Sequence, residues 1–303
     1  MVTKVFIITH LFILCTFSLQ AQTNELRQKI EQIITSKKAE VGVSIYGSIE
    51  NNNILNINGD EHFPMQSVFK LHIALAVLHE VDKGKFSLNK KILIKKSDLL
   101  SNTWSPIREK YPNGNVVLHL SDILKYTVAQ SDNNGCDILL RLIGGTKMVN
   151  NYMHEIGIKD VSIKSTEEQL HKDWEVQFSN WTTPKAATQL LLKFYRGKIL
   201  SEKSFHFLWN VMVQTTTGAA RIKGRLPEGT IVAHKTGTSD TNKEGITGAV
   251  NDIGIVTLPN GTHFVISVFV SNSKENETEN DKIIADITKL AWDYFIKKMK
   301  LFS

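Results

Sequence analysis

The amino-acid sequence predicts a two-domain α/β protein in which one domain is gathered from both ends of the chain. Three observations carry this reading: a helix followed by alternating strands near the N-terminus, a long and mainly helical middle, and a run of strands closed by a final helix. Leu26, Ile30, Ile33 and Ile34 recur at helical spacing over Glu25 to Ser36. Val41, Val43 and Ile45 then alternate as one face of a strand, Glu50 to Asn53 reads as a turn, and Ile54 to Ile57 as a second strand. From Ser67 to about Val213 the pattern is mainly helical, beginning with the apolar run Leu71 to Leu78 shortly after Pro64. Ile231 to Lys235, Gly245 to Leu258 and His263 to Val270 read as strands, with a turn at Pro259-Asn260-Gly261, and Glu279 to Lys298 as the last helix. The implied division is 22–65 together with 214–303 as a discontinuous α/β domain, and 66–213 as an all-α domain. No internal repeat interrupts it.

The first 21 residues stand apart. Lys4 gives a short basic start, Val5 to Phe17 is apolar, and Ser18-Leu19-Gln20-Ala21 precedes the polar Gln22-Thr23-Asn24. The apolar stretch is short for a bilayer span, so it reads as a signal peptide cleaved after Ala21, with a periplasmic destination. Lipidation at Cys15 ranks second, because Leu14 is bulky where a small residue is required. Removing the segment leaves Cys136 as the single cysteine, which excludes an intramolecular disulfide, and its apolar neighbours Ile138, Leu139 and Leu142 make it a buried structural thiol. The net charge of +6 drops to +5 with loss of Lys4, and the lysines are scattered. A nucleic-acid surface would group them among aromatics, so a weak attraction for small anions is all that follows. His72 and His79 lie seven apart and the other histidines are single, which gives no compact ligand set for a metal mechanism.

The chemistry is written in three short motifs. Ser67-Val68-Phe69-Lys70 places a hydroxyl and an amine one helical turn apart, on one face. A serine is a weak nucleophile until a base takes its proton, and a lysine can do so when burial or neighbouring cations favour its neutral form. The start of a helix also favours developing negative charge. Ser131-Asp132-Asn133 follows 64 positions later: Ser131 can relay a proton to a leaving nitrogen, and Asn133 can hold a substrate amide. Lys235-Thr236-Gly237 comes 104 positions after that, with Lys235 and Thr236 suited to a substrate carboxylate and Gly237 to a close backbone approach. Singly, each has an ordinary reading as a helix cap, a polar turn or a solvated strand end. Jointly, in this order, they describe a serine acylation site.

With Pro64-Met65-Gln66-Ser67-Val68-Phe69-Lys70, Gln130 to Asp137 and Ala233 to Ser239 on the page, the chain resembles the class A serine β-lactamases. Within that class it is similar to the PER-type extended-spectrum branch, from about Val41 nearly to the C-terminus. The resemblance implies the serine β-lactamase and penicillin-binding-protein fold, an antiparallel sheet flanked by helices plus an all-α domain, with the site where they meet. It also implies hydrolysis of a β-lactam amide through a Ser67 acyl-enzyme, by a monomer acting without cofactor on a small molecule. In Thr166-Glu167-Glu168-Gln169-Leu170-His171, the class pattern Glu-x-x-Leu-Asn selects Glu167 rather than Glu168 as the deacylating base, with His171 in place of the usual asparagine. An imidazole cannot reproduce both the donor and the acceptor of a carboxamide in one orientation, so this loop is expected to differ from the common form. Arg221 resembles the arginine that supports Lys235 and the substrate carboxylate. Trp104 matches an aromatic at the rim, and Thr238 is expected to complete an oxyanion hole with Ser67 through backbone N–H groups.

Two rivals share parts of this pattern. A low-molecular-weight penicillin-binding protein has the Ser-x-x-Lys and Lys-Thr-Gly elements without the deacylating glutamate. A β-lactam sensor stays acylated and is tethered to a membrane span. Glu167 argues against the first, and the absence of any second long apolar stretch argues against the other.

Overall fold

The computed structural model describes residues 21–47, 53–170 and 172–302. The signal segment with Lys4 and Cys15, most of the turn at Glu50 to Asn53, and His171 lie outside the described residues. The elements run in order as α1 (21–35), β1 (Glu40–Gly47), β2 (Asn53–Ile57), β3 (Phe63–Pro64) and α2 (Phe69–Asp82). There follow β4 (Lys91–Ile94), α3 (Pro106–Lys110), β5 (Val116–His119), α4 (Leu120–Ala129), α5 (Asn133–Ile143) and α6 (Thr146–Glu155). Next are β6 (Val161–Ser162), α7 (Glu167–Leu170), β7 (Trp181–Thr182), α8 (Pro184–Tyr195) and α9 (Glu202–Val213). The chain closes with β8 (Val232–Thr238), β9 (Thr247–Thr257), β10 (His263–Ser273) and α10 (Glu277–Phe302).

Five strands from the two chain ends make one antiparallel sheet in the order β2-β1-β10-β9-β8. Its strands read as nearly continuous apolar runs because helices cover both faces. Val250, Val256, Phe264, Ile266, Val268 and Val270 point to one side and pack with Ile30 of α1 and Ile284, Ile287 and Phe295 of α10. The alternate residues Ile253, Ile255, Val265 and Phe269 point to the other side and join the core of the helical part. Alternation over the pleat therefore assigns each strand residue to one of two cores.

The helical part is built around α2, where Phe69 to Leu78 are all buried, Lys70 and His72 included. A helix apolar all round belongs at the centre of a core, and its two buried polar side chains need a reason to be there. Contact with the sheet is made by α8, whose Thr188 donates to Ser267 Oγ at 3.0 Å. Gly42 of β1 permits the approach, since a Cβ there would come within 2.4 Å of the Phe63 ring and 2.7 Å of Pro184.

Three differences from the sequence reading have local causes. Ser67 lies in a 3-10 turn, Gln66–Val68, and α2 proper begins at Phe69. The strand expected to stop at Lys235 continues to Thr238, because pairing with Asn251 and Val250 of β9 extends the ladder past Gly237. The middle of the chain also contains two small sheets, β3-β7-β6 and β4-β5. Strands of two to four residues are too short for a period of two to be visible.

Candidate active site

Ser67 is positioned by the segment before it. Met65 N–H donates to Asn180 O at 2.9 Å, and Asn251 Nδ2 of β9 donates to Pro64 O at 2.8 Å and Met65 O at 3.2 Å. Gln66 then turns at φ +46°, a left-handed conformation costing a non-glycine residue on the order of 1 kcal/mol, and the chain enters α2 with Ser67 at its head. Gln66 Nε2 donates to Gln177 Oε1 at 2.7 Å, tying this turn to the loop that follows Glu167.

Lys70 is fully buried one turn on. Its Nζ lies 2.8 Å from Ser67 Oγ, 2.9 Å from Ser131 O and 2.9 Å from Glu167 Oε1, and donates also to Asn133 Oδ1. Ser131 sits at φ +59°, a second left-handed residue beside the site. The adjacent Asp132 carboxylate is buried and accepts from Ser105 Oγ, from Ile107 N–H at 2.6 Å and from Gly135 N–H at 2.7 Å. Burial raises its pKa, and these donors pull it back. That carboxylate caps α5 and fixes Ser131 and Asn133 on either side of itself. Asn133 spans the gap, with Oδ1 on Lys70 and Nδ2 donating to Thr103 Oγ1 at 2.6 Å.

The acidic pair divides. Glu167 is buried against Lys70, while Glu168 is turned outward and has Lys172 at 4.0 Å. Asp137, one turn along α5 from Asn133, accepts from Glu167 N–H at 2.8 Å and Glu168 N–H at 3.0 Å, so it caps the short helix carrying both. Burial raises its pKa against those two donors, and the Glu167 charge adds to the rise. A cavity of about 20 Å³ bordered by Asn133, Asp137 and Glu167 has room for about one water-sized sphere.

The opposite wall is β8. Lys235 is fully buried and donates to Ser131 Oγ at 3.0 Å and Thr236 O at 2.9 Å. Burial drives its pKa well down and the Lys70 charge adds to this, while Asp252 and Glu167 oppose it. Thr236 and Thr217 share a hydroxyl contact at 2.6 Å. Gly237 lies close against the Ser67 turn: a Cβ there would stand 2.4 Å from Met65 O and 3.3 Å from Ser67 N. Arg221 is buried and serves the end of this strand, donating to Gly237 O and Asn251 O at 3.1 Å and to Thr238 Oγ1 at 2.8 Å, with Asp281 of α10 at 2.7 Å behind it. Its hydrogen bonds thus reach Thr238 and the strand carbonyls. Trp104 is 55% exposed, its Nε1 donating to Gln130 O at 2.9 Å.

Two lobes open on Ser67. One, of about 510 Å³, is lined by Trp104, Ser131, Thr217, Thr236 and Thr238; the other, of about 320 Å³, by Gln66, Glu167, Leu170, Trp174, Gln177 and Asp240. A shallower groove of about 560 Å³ between α1 and α10 holds paired surface charges such as Lys282 and Asp286, away from the three motifs. The profile of the β-lactamase enzyme family matches residues 25–295. The chain belongs to the class A β-lactamases. It is 52% identical over 294 residues to β-lactamase VEB-1 of Pseudomonas aeruginosa, covering 96% of this chain and 97% of that one. With the extended-spectrum β-lactamase PER-1 of the same organism it shares 44% over 288 residues, 95% of this chain and 93% of the other. The crystal structure of TLA-1, an extended-spectrum β-lactamase, superposes with a TM-score of 0.89 at 57% identity, over 90% of this chain and 99% of that one. As a class A β-lactamase the chain opens the β-lactam amide by a serine route.

The sequence motifs thus converge in space: Ser67, Lys70, Ser131, Asn133, Glu167, Lys235 and Thr236 form one connected network. Asp137, Asn251, Gln177 and Asp281 support it; the first three carry no local signal beyond a polar residue beside apolar ones, and Asp281 none, lying in a polar run. For Asp137, standing between Cys136 and Ile138 in a buried helix, that signal was readable.

Proposed function

We propose the following division of labour for β-lactam hydrolysis. Ser67 Oγ attacks the lactam carbonyl as its proton passes to Lys70, whose own charge is relieved through Glu167. Backbone N–H groups of Ser67 and Thr238 receive the developing oxyanion. The C–N bond breaks as Ser131 gives its proton to the leaving nitrogen and takes one from Lys70, and Glu167 returns its own proton to Lys70, which restores the ammonium and the carboxylate. Glu167 then takes a proton from water, the water oxygen forms the new bond to carbon, and the ester bond to Ser67 breaks with the proton returned to Oγ. Lys235, Thr236 and Thr238 bind the substrate carboxylate, Arg221 holds Thr238 in place for it, Asn133 binds the side-chain amide, and Trp104 stacks at the rim.

The observation that carries this reading is the placement of Lys70 Nζ, 2.8 Å from the nucleophile and 2.9 Å from Glu167, with Glu168 outside. Intact-mass spectrometry tests it. Glu167→Ala is expected to acylate and stall with a persistent adduct, while Glu168→Ala turns over. Normal turnover by Glu167→Ala removes the assignment.

The substrate range follows from the two lobes and from the extended-spectrum relatives. We take the lobe beside Glu167 to admit bulky oxyimino side chains, with kcat/KM for an oxyimino cephalosporin within about a hundredfold of that for a simple cephalosporin, roughly 3 kcal/mol. The protein acts as a periplasmic monomer after signal removal; among the described residues no helix is long and apolar enough to cross a membrane. Residues 22–65 with 214–303 are taken as the α/β domain and 66–213 as the helical one. The support is that the five-stranded sheet draws on 40–57 and 232–273 alone.

A further inference from the structure

A histidine–carboxylate pair lies behind Lys235, outside the roles assigned above. His234 of β8 and Asp252 of β9 are both fully buried. His234 Nδ1 stands 3.0 Å from each Asp252 oxygen, and Ile222 N–H donates to Oδ2 at 3.2 Å. A carboxylate only accepts, so the ring proton is on Nδ1. His234 Nε2 meets no hydrogen-bond partner among the described residues, which suits a lone pair better than a second N–H. Gly254 faces His234 across the ladder, and a Cβ on it would come within 2.9 Å of His234 Cβ and 3.2 Å of Ile222 Cδ1. Glycine at that place leaves room for the buried His234 side chain.

Asp252 is thus held by neutral donors, and its charge acts on its surroundings. The sheet register sets Asp252 opposite Thr236, one residue past Lys235. The charges acting on Lys235 are Lys70 from α2 and Arg221 from the preceding turn, both repulsive, with Glu167 from α7 and Asp252, on the opposite face of the sheet, attractive. Glu167 is already bound to Lys70. Lys223, from the same turn as Arg221, is the other cation that feels Asp252.

We propose that His234 and Asp252 form a positioning unit that keeps a buried negative charge behind β8, so that Lys235 is still an ammonium when the substrate carboxylate arrives. His234 keeps Asp252 hydrogen-bonded and in place; Asp252 acts through Lys235. The inference rests on the reading of Lys235 as the partner of that carboxylate.

The test is the pH profile of kcat/KM for a penicillin, measured on Asp252→Asn, His234→Leu and His234→Asn, alone and with Lys235→Arg. Asp252→Asn and His234→Leu should move the basic limb down by about one pH unit, raising KM about tenfold near pH 8 with little change in kcat near pH 6. His234→Asn, whose amide N–H can stand where Nδ1–H stood, should keep the wild-type limb. Lys235→Arg carries a charge that does not titrate in this range, so the shift should vanish in its presence. A wild-type limb in folded Asp252→Asn, or a shift that persists beside Lys235→Arg, overturns the proposal. Should Asp252→Asn fail to fold, equal limbs in His234→Leu and His234→Asn overturn it instead. An unmoved limb in Lys235→Arg alone removes the underlying reading of Lys235, and is distinguishable because it needs no change at Asp252.

Discussion

The two walls of the cleft each bury one lysine and one histidine, and they allot a carboxylate in opposite ways. On α2, Lys70 has Glu167 at 2.9 Å, while His72 has only Val68 O at 3.4 Å and no partner for Nε2 among the described residues. On β8, His234 has Asp252 at 3.0 Å, while Lys235 contacts two neutral oxygens, Ser131 Oγ and Thr236 O. A lysine with a carboxylate in contact can hand over a proton and have its charge absorbed. One without a contact counter-charge retains its full attraction for an anion that arrives from outside. The same residue type thereby acquires two chemistries from its neighbours.

The comparison breaks most readily at Lys70. Lys70→Ala leaves the nucleophile without a base and Glu167 buried without its cation, so kcat/KM should fall by about 10⁴-fold or more, largely in kcat. Lys235→Ala should cost about a hundredfold, mostly in KM, because the loss is one charged hydrogen-bonded contact with substrate. Steady-state kinetics on one penicillin decide between the walls; an equal loss in kcat from both substitutions would erase the distinction.

Asp137→Ala sharpens the α2 side. It strands one buried and one partly buried N–H group at the head of α7, and urea denaturation should register a loss of about 2–3 kcal/mol. Deacylation should slow more than acylation, since the loosened segment carries Glu167. Equal slowing of both steps in single-turnover experiments would mean that Asp137 acts on the fold alone.

The smallest effect concerns His72. Burial lowers its pKa from 6.5 to about 4, so the unfolded chain binds a proton that the folded chain refuses. Stability therefore falls as pH drops through the interval from about 6.5 to 4, by about 2 kcal/mol from this group on reaching pH 5. His72→Leu should flatten that slope between pH 7 and pH 5 in denaturant titrations, whatever it does to stability at neutral pH. An unchanged slope would place the acid sensitivity elsewhere.

Legibility in the sequence followed the range of the interactions. Ser67 and Lys70 were readable because three residues of spacing fix two side chains on one face, and α1, β1, β9 and β10 because their apolar periods run long enough to be seen. Glu167 was separable from Glu168 only through a pattern of spacing, and its burial depends on Asp137, 30 residues away. Asn251 holds Pro64 across 187 residues and Arg221 meets Asp281 across 60, pairings that exist only once the sheet has assembled. The extension of β8 to Thr238 was invisible for the same reason: Lys-Thr-Gly-Thr has no apolar alternation, and its strand conformation is imposed by β9.

The absent side chain at Gly237 has a consequence for how such an enzyme can change. With Met65 O only 2.4 Å from where a methyl group would sit, even alanine would push the strand off the nucleophile. Selection for new antibiotics is thereby denied this position, though it lies against the Ser67 turn. Variation that leaves Ser67 in place is left to the flanks, to Ser239 and Asp240 on one side and Trp174 on the other, which line the lobes.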